Sequence, residues 1–208
     1  MEEKADKELQ KEYIFDAVCF STNYKNFSSM KIINQYFMNV DNLDINRIDE
    51  NNVIFKKKVK IGDKAEIECT NKIFEVSPME KNVKLKKDND CFIIFVDLEY
   101  NYSLGELNKT LKIIENLNEN DKYLYIINFY TEENNIKKNI DENNIKNLLD
   151  RNGFSNYSIN KINLNISEEL IKTIDAIIFE TLQNKKLIDF DNKETSMDRS
   201  NLTICIIN

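Results

Sequence analysis

"VCFSTNYKNFSS", residues 18–29, decides how the rest of the chain is read. It closes an apolar run, Tyr13 to Phe20, with a polar loop, and then gives way to "SSMKIINQYFM". In that second stretch Ile32, Ile33, Tyr36 and Phe37 recur on one helical face, and Ser28 or Ser29 is placed to cap the helix. A buried strand feeding a capped helix is the opening unit of an α/β domain. The loop between them contains no glycine and no lysine directly before the helix.

The remaining chain repeats the unit with one interruption. "VIFKKKVKIGDKAEIECTNKIFEV" alternates in character and turns at "IGDK", where Gly62 suits a tight hairpin. "CFIIFVDL" is continuously apolar, as expected of a strand covered on both faces. Ser103 and Glu106 after it have capping-box spacing, and Leu104, Leu107, Leu111, Ile114 and Leu117 keep a helical stripe. "YLYIINF" is a further strand, followed by a helix capped by Asp141, carrying Ile145, Leu148 and Leu149, and stopped at Gly153. "FSNYSINKINLN" holds the last strand. A helix from Ser167, with Glu168 and Glu169 at its positive end, carries Leu170, Ile174, Ile177 and Ile178. The segment around Pro78 lacks a period and reads as a loop or short helix.

The order β-α-β-β-β-α-β-α-β-α predicts an α/β domain over residues 13–185. Its sheet is mostly parallel and six-stranded, with one antiparallel edge hairpin and helices on both faces, giving three layers. Residues 1–12 are an acidic extension and residues 186–208 a tail.

Composition removes several function classes. The net charge of −7 across 208 residues argues against nucleic acid as a partner, because phosphate neutralisation needs a basic field. Lys56, Lys57, Lys58 and Lys60 read as a solvated strand face or edge. No stretch has the length of apolar sequence needed to span a bilayer, and the acidic residues 1–12 lack the pattern of a signal or transit peptide. A cytoplasmic protein is expected. The chain has no histidine, which takes away the usual general base and metal ligand. Its four cysteines, Cys19, Cys69, Cys91 and Cys205, lie far apart in apolar runs and read as reduced thiols, with no metal or cofactor expected.

The element order, with its single hairpin after the first helix, resembles the small-GTPase fold, a P-loop NTPase-like architecture. The resemblance permits a check of each nucleotide motif. In GxxxxGK[ST] the glycines let amides approach phosphate, the lysine supplies charge and the hydroxyl holds magnesium. A gapless reading places these positions at Ser21, Asn26, Phe27 and Ser28, so only the hydroxyl survives. The DxxG positions fall on Asn71 and Phe74. NKxD becomes Asn128 to Thr131, and threonine cannot supply the two acceptor oxygens that hold the guanine. The lost lysine contact alone is worth about 1.5–3 kcal/mol. The expectation is a pseudo-GTPase that neither binds nor hydrolyses GTP.

Four stretches resemble the alpha- and gamma-adaptin-binding protein family: "VCFSTNYKNFSS", "AEIECTNKIFEV", "CFIIFVDLEYNYSLGELNKTL" and "LLDRNGFSNYSI". That resemblance implies a protein-binding factor, or chaperone, for clathrin-adaptor subunits in vesicle-mediated transport. The C-terminal helical region that such proteins use for self-association and client binding has no counterpart pattern here. An alternative comes from "CIIN": Cys205 fits the form of a prenylation signal, which would make a lipidated Rab-like trafficking protein. Against it, "LTICII" reads as an apolar terminal strand, and no polybasic cluster supplies a second anchor. An enzyme finds only Asp97 and Glu99 at a strand end, read as solvated cap or turn groups, so no catalytic residues are assigned. Tyr24, Phe27, Phe74 and the Pro78 segment are the surface to examine for a partner, unless Phe27 and Phe74 fill the vacated pocket as core.

Overall fold

The computed structural model describes residues 13–38, 44–49, 52–61, 65–76, 89–116, 122–137 and 140–185, with backbone alone for 44–49, 52, 59–61 and 65–67. Residues 1–12, Gly62, the Pro78 segment and the tail with Cys205 lie outside the described residues.

The strands are β1 (Tyr13–Ser21), β2 (Asp44–Asp49), β3 (Asn52–Ile61), β4 (Ala65–Glu75), β5 (Cys91–Asp97), β6 (Tyr123–Tyr130) and β7 (Tyr157–Asn163). The helices are α1 (Ser29–Met38), α2 (Ser103–Asn116), α3 (Glu142–Arg151) and α4 (Ser167–Asn184). One sheet takes them in the order β2-β3-β4-β1-β5-β6-β7. β1 pairs in parallel with both β4 and β5, and the parallel run continues through β6 to β7. β3 is antiparallel to β4 and to β2.

Strand alternation sends side chains to two cores. One core joins Phe15, Ala17 and Cys19 of β1 to α1 (Ile32, Ile33, Tyr36) and α4 (Leu170, Ile174, Ile178). The other joins Val18 and Phe20 to α2 (Leu107, Leu111, Ile114) and α3 (Ile145, Leu149). β5 is buried along its whole length because helices lie over both of its faces. The expected α/β class with three layers and a mostly parallel sheet is therefore observed.

Local sequence explains the helix ends. The Asp141 carboxylate accepts from Asn144 N–H at 2.7 Å, capping α3. At the other end Gly153 adopts φ 76°. That conformation lets Gly153 N–H reach Asp150 O and Phe154 N–H reach Leu149 O, the Schellman arrangement. The capping box expected of Ser103 and Glu106 does not form. Glu106 N–H bonds Tyr102 O, and the Ser103 hydroxyl is drawn instead to Asp97 O at the end of β5.

Two further features depart from the sequence reading. β2 extends the expected sheet to seven strands; with two isoleucines among six residues, acidic ends and a register shift between Arg47 and Asp49, it carries little apolar pattern. The lysine run is also not uniformly solvated. Lys56 is exposed, 3.4 Å from Glu68. Lys57 points inward, its ammonium bonded to both oxygens of buried Asp175 on α4 and to Tyr36 OH of α1 at 2.9 Å. Tyr36 OH donates to the same carboxylate at 2.7 Å. Burial first, then the adjacent Asp175 charge, pushes the Tyr36 phenol far up, so it serves as a fixed donor. Cys19, Cys69 and Cys91 are buried free thiols, as expected, and burial pushes Cys69 up to about 12.

Breaking a buried pair leaves an uncompensated charge, which costs about 3 kcal/mol or more. Lys57→Ala is accordingly expected to lower the urea unfolding free energy by about 3 kcal/mol, against about 0.5 kcal/mol or less for Lys56→Ala at its exposed pair. Equal effects of the two substitutions in urea titration would show that the Lys57–Asp175 pair is not buried as described.

Candidate functional site

The helix that follows β1 packs on one face of the sheet and the helix that follows β5 packs on the other. The connections from these neighbouring strands diverge, and the crevice between their C-terminal ends is where open α/β sheets bind ligands. In this chain the crevice is crossed by the protein's own side chains. Asn23 Nδ2 donates to Asp97 Oδ2 at 2.7 Å, and Asp97 N–H donates to Thr22 Oγ1 at 3.0 Å. The Ser103 hydroxyl donates to Asp97 O at 2.5 Å. Its proton is thus committed, so the 3.1 Å contact between Thr22 Oγ1 and Ser103 Oγ has Thr22 as donor. Asp97 Oδ1 also accepts from Glu99 N–H at 2.8 Å. Thr22, Asn23, Asp97 and Ser103 are all buried. Asp97 is thus a turn group, as read from the sequence, but a buried one at the centre of a hydrogen-bond network rather than a solvated one.

The β1–α1 loop turns on itself in the same way. Thr22 N–H bonds Phe95 O, Asn23 N–H bonds Ser21 Oγ at 3.3 Å, and Asn26 and Phe27 N–H both bond Asn23 O. Ser21 Oγ donates to Phe27 O at 2.5 Å. These four amides are therefore already taken by acceptors of the chain itself.

The N-terminus of α1 supplies the partial positive charge that would attract a phosphate. The anion found there is internal. Glu75, the last residue of β4 and 4% exposed, places Oε1 2.6 Å from Ser29 Oγ and 3.1 Å from Met30 N. The register of β4 on β1 makes this possible, because it sets Glu75 opposite Cys19, just below the loop. Ser28 Oγ accepts from Lys31 N–H at 3.2 Å and Ser28 O accepts from Ile32 N–H, completing the first turn. A capping carboxylate of this kind contributes about 1 kcal/mol to the helix.

A third carboxylate holds the next loop. Glu99 accepts from Thr131 Oγ1 at 2.7 Å, from Thr131 N–H at 3.1 Å and from Glu132 N–H at 2.9 Å. Asn165 Nδ2 in turn donates to Thr131 O at 2.8 Å, tying in the β7–α4 connection. Partial burial acts to raise the Glu99 carboxyl, but the Thr131 hydroxyl and the Glu132 and Thr131 amides stabilise the charged form and bring it below the ordinary value.

The positions singled out from the sequence divide accordingly. Ser21 ends β1, and Asn26, Phe27 and Ser28 follow in the β1–α1 loop, with Asn26 exposed. The Phe27 ring lies against Phe129 of β6, centroids 5.5 Å apart, on the α1/α4 side. Phe74 packs on the opposite, α2/α3 side. The sheet separates the two rings, so they neither share a surface nor fill one pocket. Asn71 sits in mid-strand opposite Phe15, bonded to Cys69 O at 3.0 Å, well below the loop edge. Asn128 is buried near the end of β6, and its Oδ1 has no partner among the described residues. Thr131 belongs to the Glu99 cluster. The sequence reading missed Glu75, Asn23 and Thr22; the acid at the end of "NKIFE" was the one signal available. Among the described residues no group of three or more acids or thiols is placed to hold a metal ion.

No protein-family model matches the chain. No curated protein matches it either.

The Glu99 carboxyl is lowered in the folded protein. A group depressed in the folded state stabilises the fold above its unfolded-state titration and loses that contribution as the pH falls through the folded value. The stability difference between the native chain and Glu99→Gln should therefore be greatest near neutral pH and shrink through the acidic carboxylate range. Urea unfolding at stepped pH reads it, and a difference that grows on acidification would contradict the assignment.

Proposed function

We propose that this domain is a nucleotide-free, GTPase-like module that acts by binding another protein. The observation that carries the proposal is the Glu75 carboxylate on Ser29 Oγ and Met30 N–H at the start of α1. A phosphate arriving there would meet a carboxylate already on the same donors, and two anions cannot share them without a countercharge. The loop supplies no compensating lysine: Lys31 turns to Asn26 O at 3.2 Å, and Lys25 is exposed on the turn.

With the crevice closed, the same edge of the sheet offers other groups. Tyr102, 68% exposed, packs edge-on to Tyr100 at 5.5 Å. Ile166 in the β7–α4 connection is also exposed. Aromatic residues held by a rigid scaffold are favourable protein anchors, since little side-chain entropy is lost on contact. The resemblance of four sequence stretches to the alpha- and gamma-adaptin-binding proteins makes clathrin-adaptor subunits the proposed partner and adaptor assembly in vesicle trafficking the proposed setting.

The test has two arms on the same protein. Titration with a fluorescent GTP analogue and magnesium should give no saturable signal at micromolar protein, whereas low-micromolar binding would overturn the nucleotide-free reading. Affinity capture of the tagged chain should recover adaptin subunits, and this recovery should weaken for Tyr102→Ala. Capture without adaptor subunits would overturn the choice of partner.

A further inference from the structure

Among the described residues, β7 is the last strand of the sheet on its side. Its hydrogen-bond phase follows from two contacts at its ends. Leu124 N–H donates to Asn156 O, and Leu164 N–H donates to Tyr130 O. In a parallel pair the backbone groups of alternate residues point to the same side, so the even-numbered residues of β7 face β6 and the odd-numbered ones face outward. The outward N–H of Asn163 is taken by Glu169 Oε2 at 2.7 Å. The outward N–H groups of Tyr157, Ile159 and Lys161 have no partner among the described residues. Beside them the side chains of Tyr157 and Ile159 are only partly buried against the α2/α3 core. Three donors in a row beside a half-covered apolar strip form an edge ready to accept a strand.

The position of the α4 end suggests the occupant. Lys185 follows α4, and its ammonium bonds Ile14 O at 3.1 Å and Asp90 Oδ1 at 2.7 Å. Chain leaving Lys185 therefore starts at the N-terminal ends of β1 and β5, the end from which parallel β7 also starts. Strands are spaced by about 4.8 Å, so the outer edge of β7 lies roughly 15–20 Å across the sheet from β1. Extended chain covers about 3.3 Å per residue, and residues 186–201 exceed that gap with ample slack. Residues 202–207 are "LTICII", an uncharged run of β-branched and apolar residues about as long as β7.

We propose that Leu202–Ile207 adds in parallel to the outer edge of β7 as a further strand, taking up the Tyr157, Ile159 and Lys161 donors. The opposite edge is the poorer host. β2 begins and ends in aspartate and its pairing register shifts between Arg47 and Asp49, two features that discourage strand addition.

Residue-resolved amide hydrogen exchange on the full chain, on a chain stopped after Asn201 and on Ile204→Pro tests this. Exchange at Tyr157, Ile159 and Lys161 is expected to be at least ~10-fold slower in the full chain than in either variant. Ser158, Asn160 and Ile162, which face β6, should be equally protected in all three, showing that the domain stays folded. Equal exchange of the odd-numbered amides in all three proteins would overturn the proposal. So would tail-dependent protection at Asp44–Asp49, or protection at β7 that rises with protein concentration, which would mark a second copy as the occupant.

Discussion

The buried start of α1 carries a partial positive charge, and in this molecule the Glu75 carboxylate answers it. The first turn of α1 presents unsatisfied N–H groups and a partial positive charge at the C-terminal edge of a parallel sheet, which in an open α/β fold is the ligand edge. Glu75 reaches that turn from β4, the strand next to β1, and is almost wholly shielded from water. Everything else at this edge is compatible with a carboxylate there. The β1–α1 loop folds onto Asn23 O instead of opening into a cradle, and its hydroxyls bond to backbone within the crevice.

The two other acids of the edge, Asp97 and Glu99, extend the same logic. Each receives hydrogen bonds from a loop that would otherwise have free donors: Asp97 from Asn23 and from the start of its own turn, Glu99 from Thr131 and Glu132. The result joins the β1–α1, β5–α2, β6–α3 and β7–α4 connections through short contacts. On the protein-binding reading proposed above, loops tied together in this way would lose little entropy on contact with a preformed surface.

The fold was largely legible because its signals are local. Periods of two and of 3.6 separate strands from helices, Asp141 and Gly153 mark the ends of α3, and the fully apolar run of β5 announces a strand between two layers. What escaped either lacked a local apolar period or was set by contacts distant in sequence. β2 has too few apolar residues to register as a strand and is held by backbone pairing to β3. Lys57 looked like a surface lysine until Asp175, 118 residues away, and Tyr36 closed around it. Glu75 was missed for a geometrical reason. The motif comparison looked for the acid of the second switch at Asn71, whereas strand register alone determines the height at which a residue emerges, and it puts Glu75 level with Cys19. The separation of Phe27 from Phe74 was equally hidden: the β1–α1 loop turns Phe27 onto the α1/α4 core, whereas its place in β4 sends Phe74 to the α2/α3 core.

The central claim is that an internal carboxylate occupies the anion position of α1. Crystals grown from phosphate-containing solution would test it most directly. The account predicts Glu75 Oε1 within hydrogen-bond distance of Ser29 Oγ and Met30 N, with no phosphate at the helix start. A phosphate on Met30 N–H, with the Glu75 side chain turned away, would contradict it.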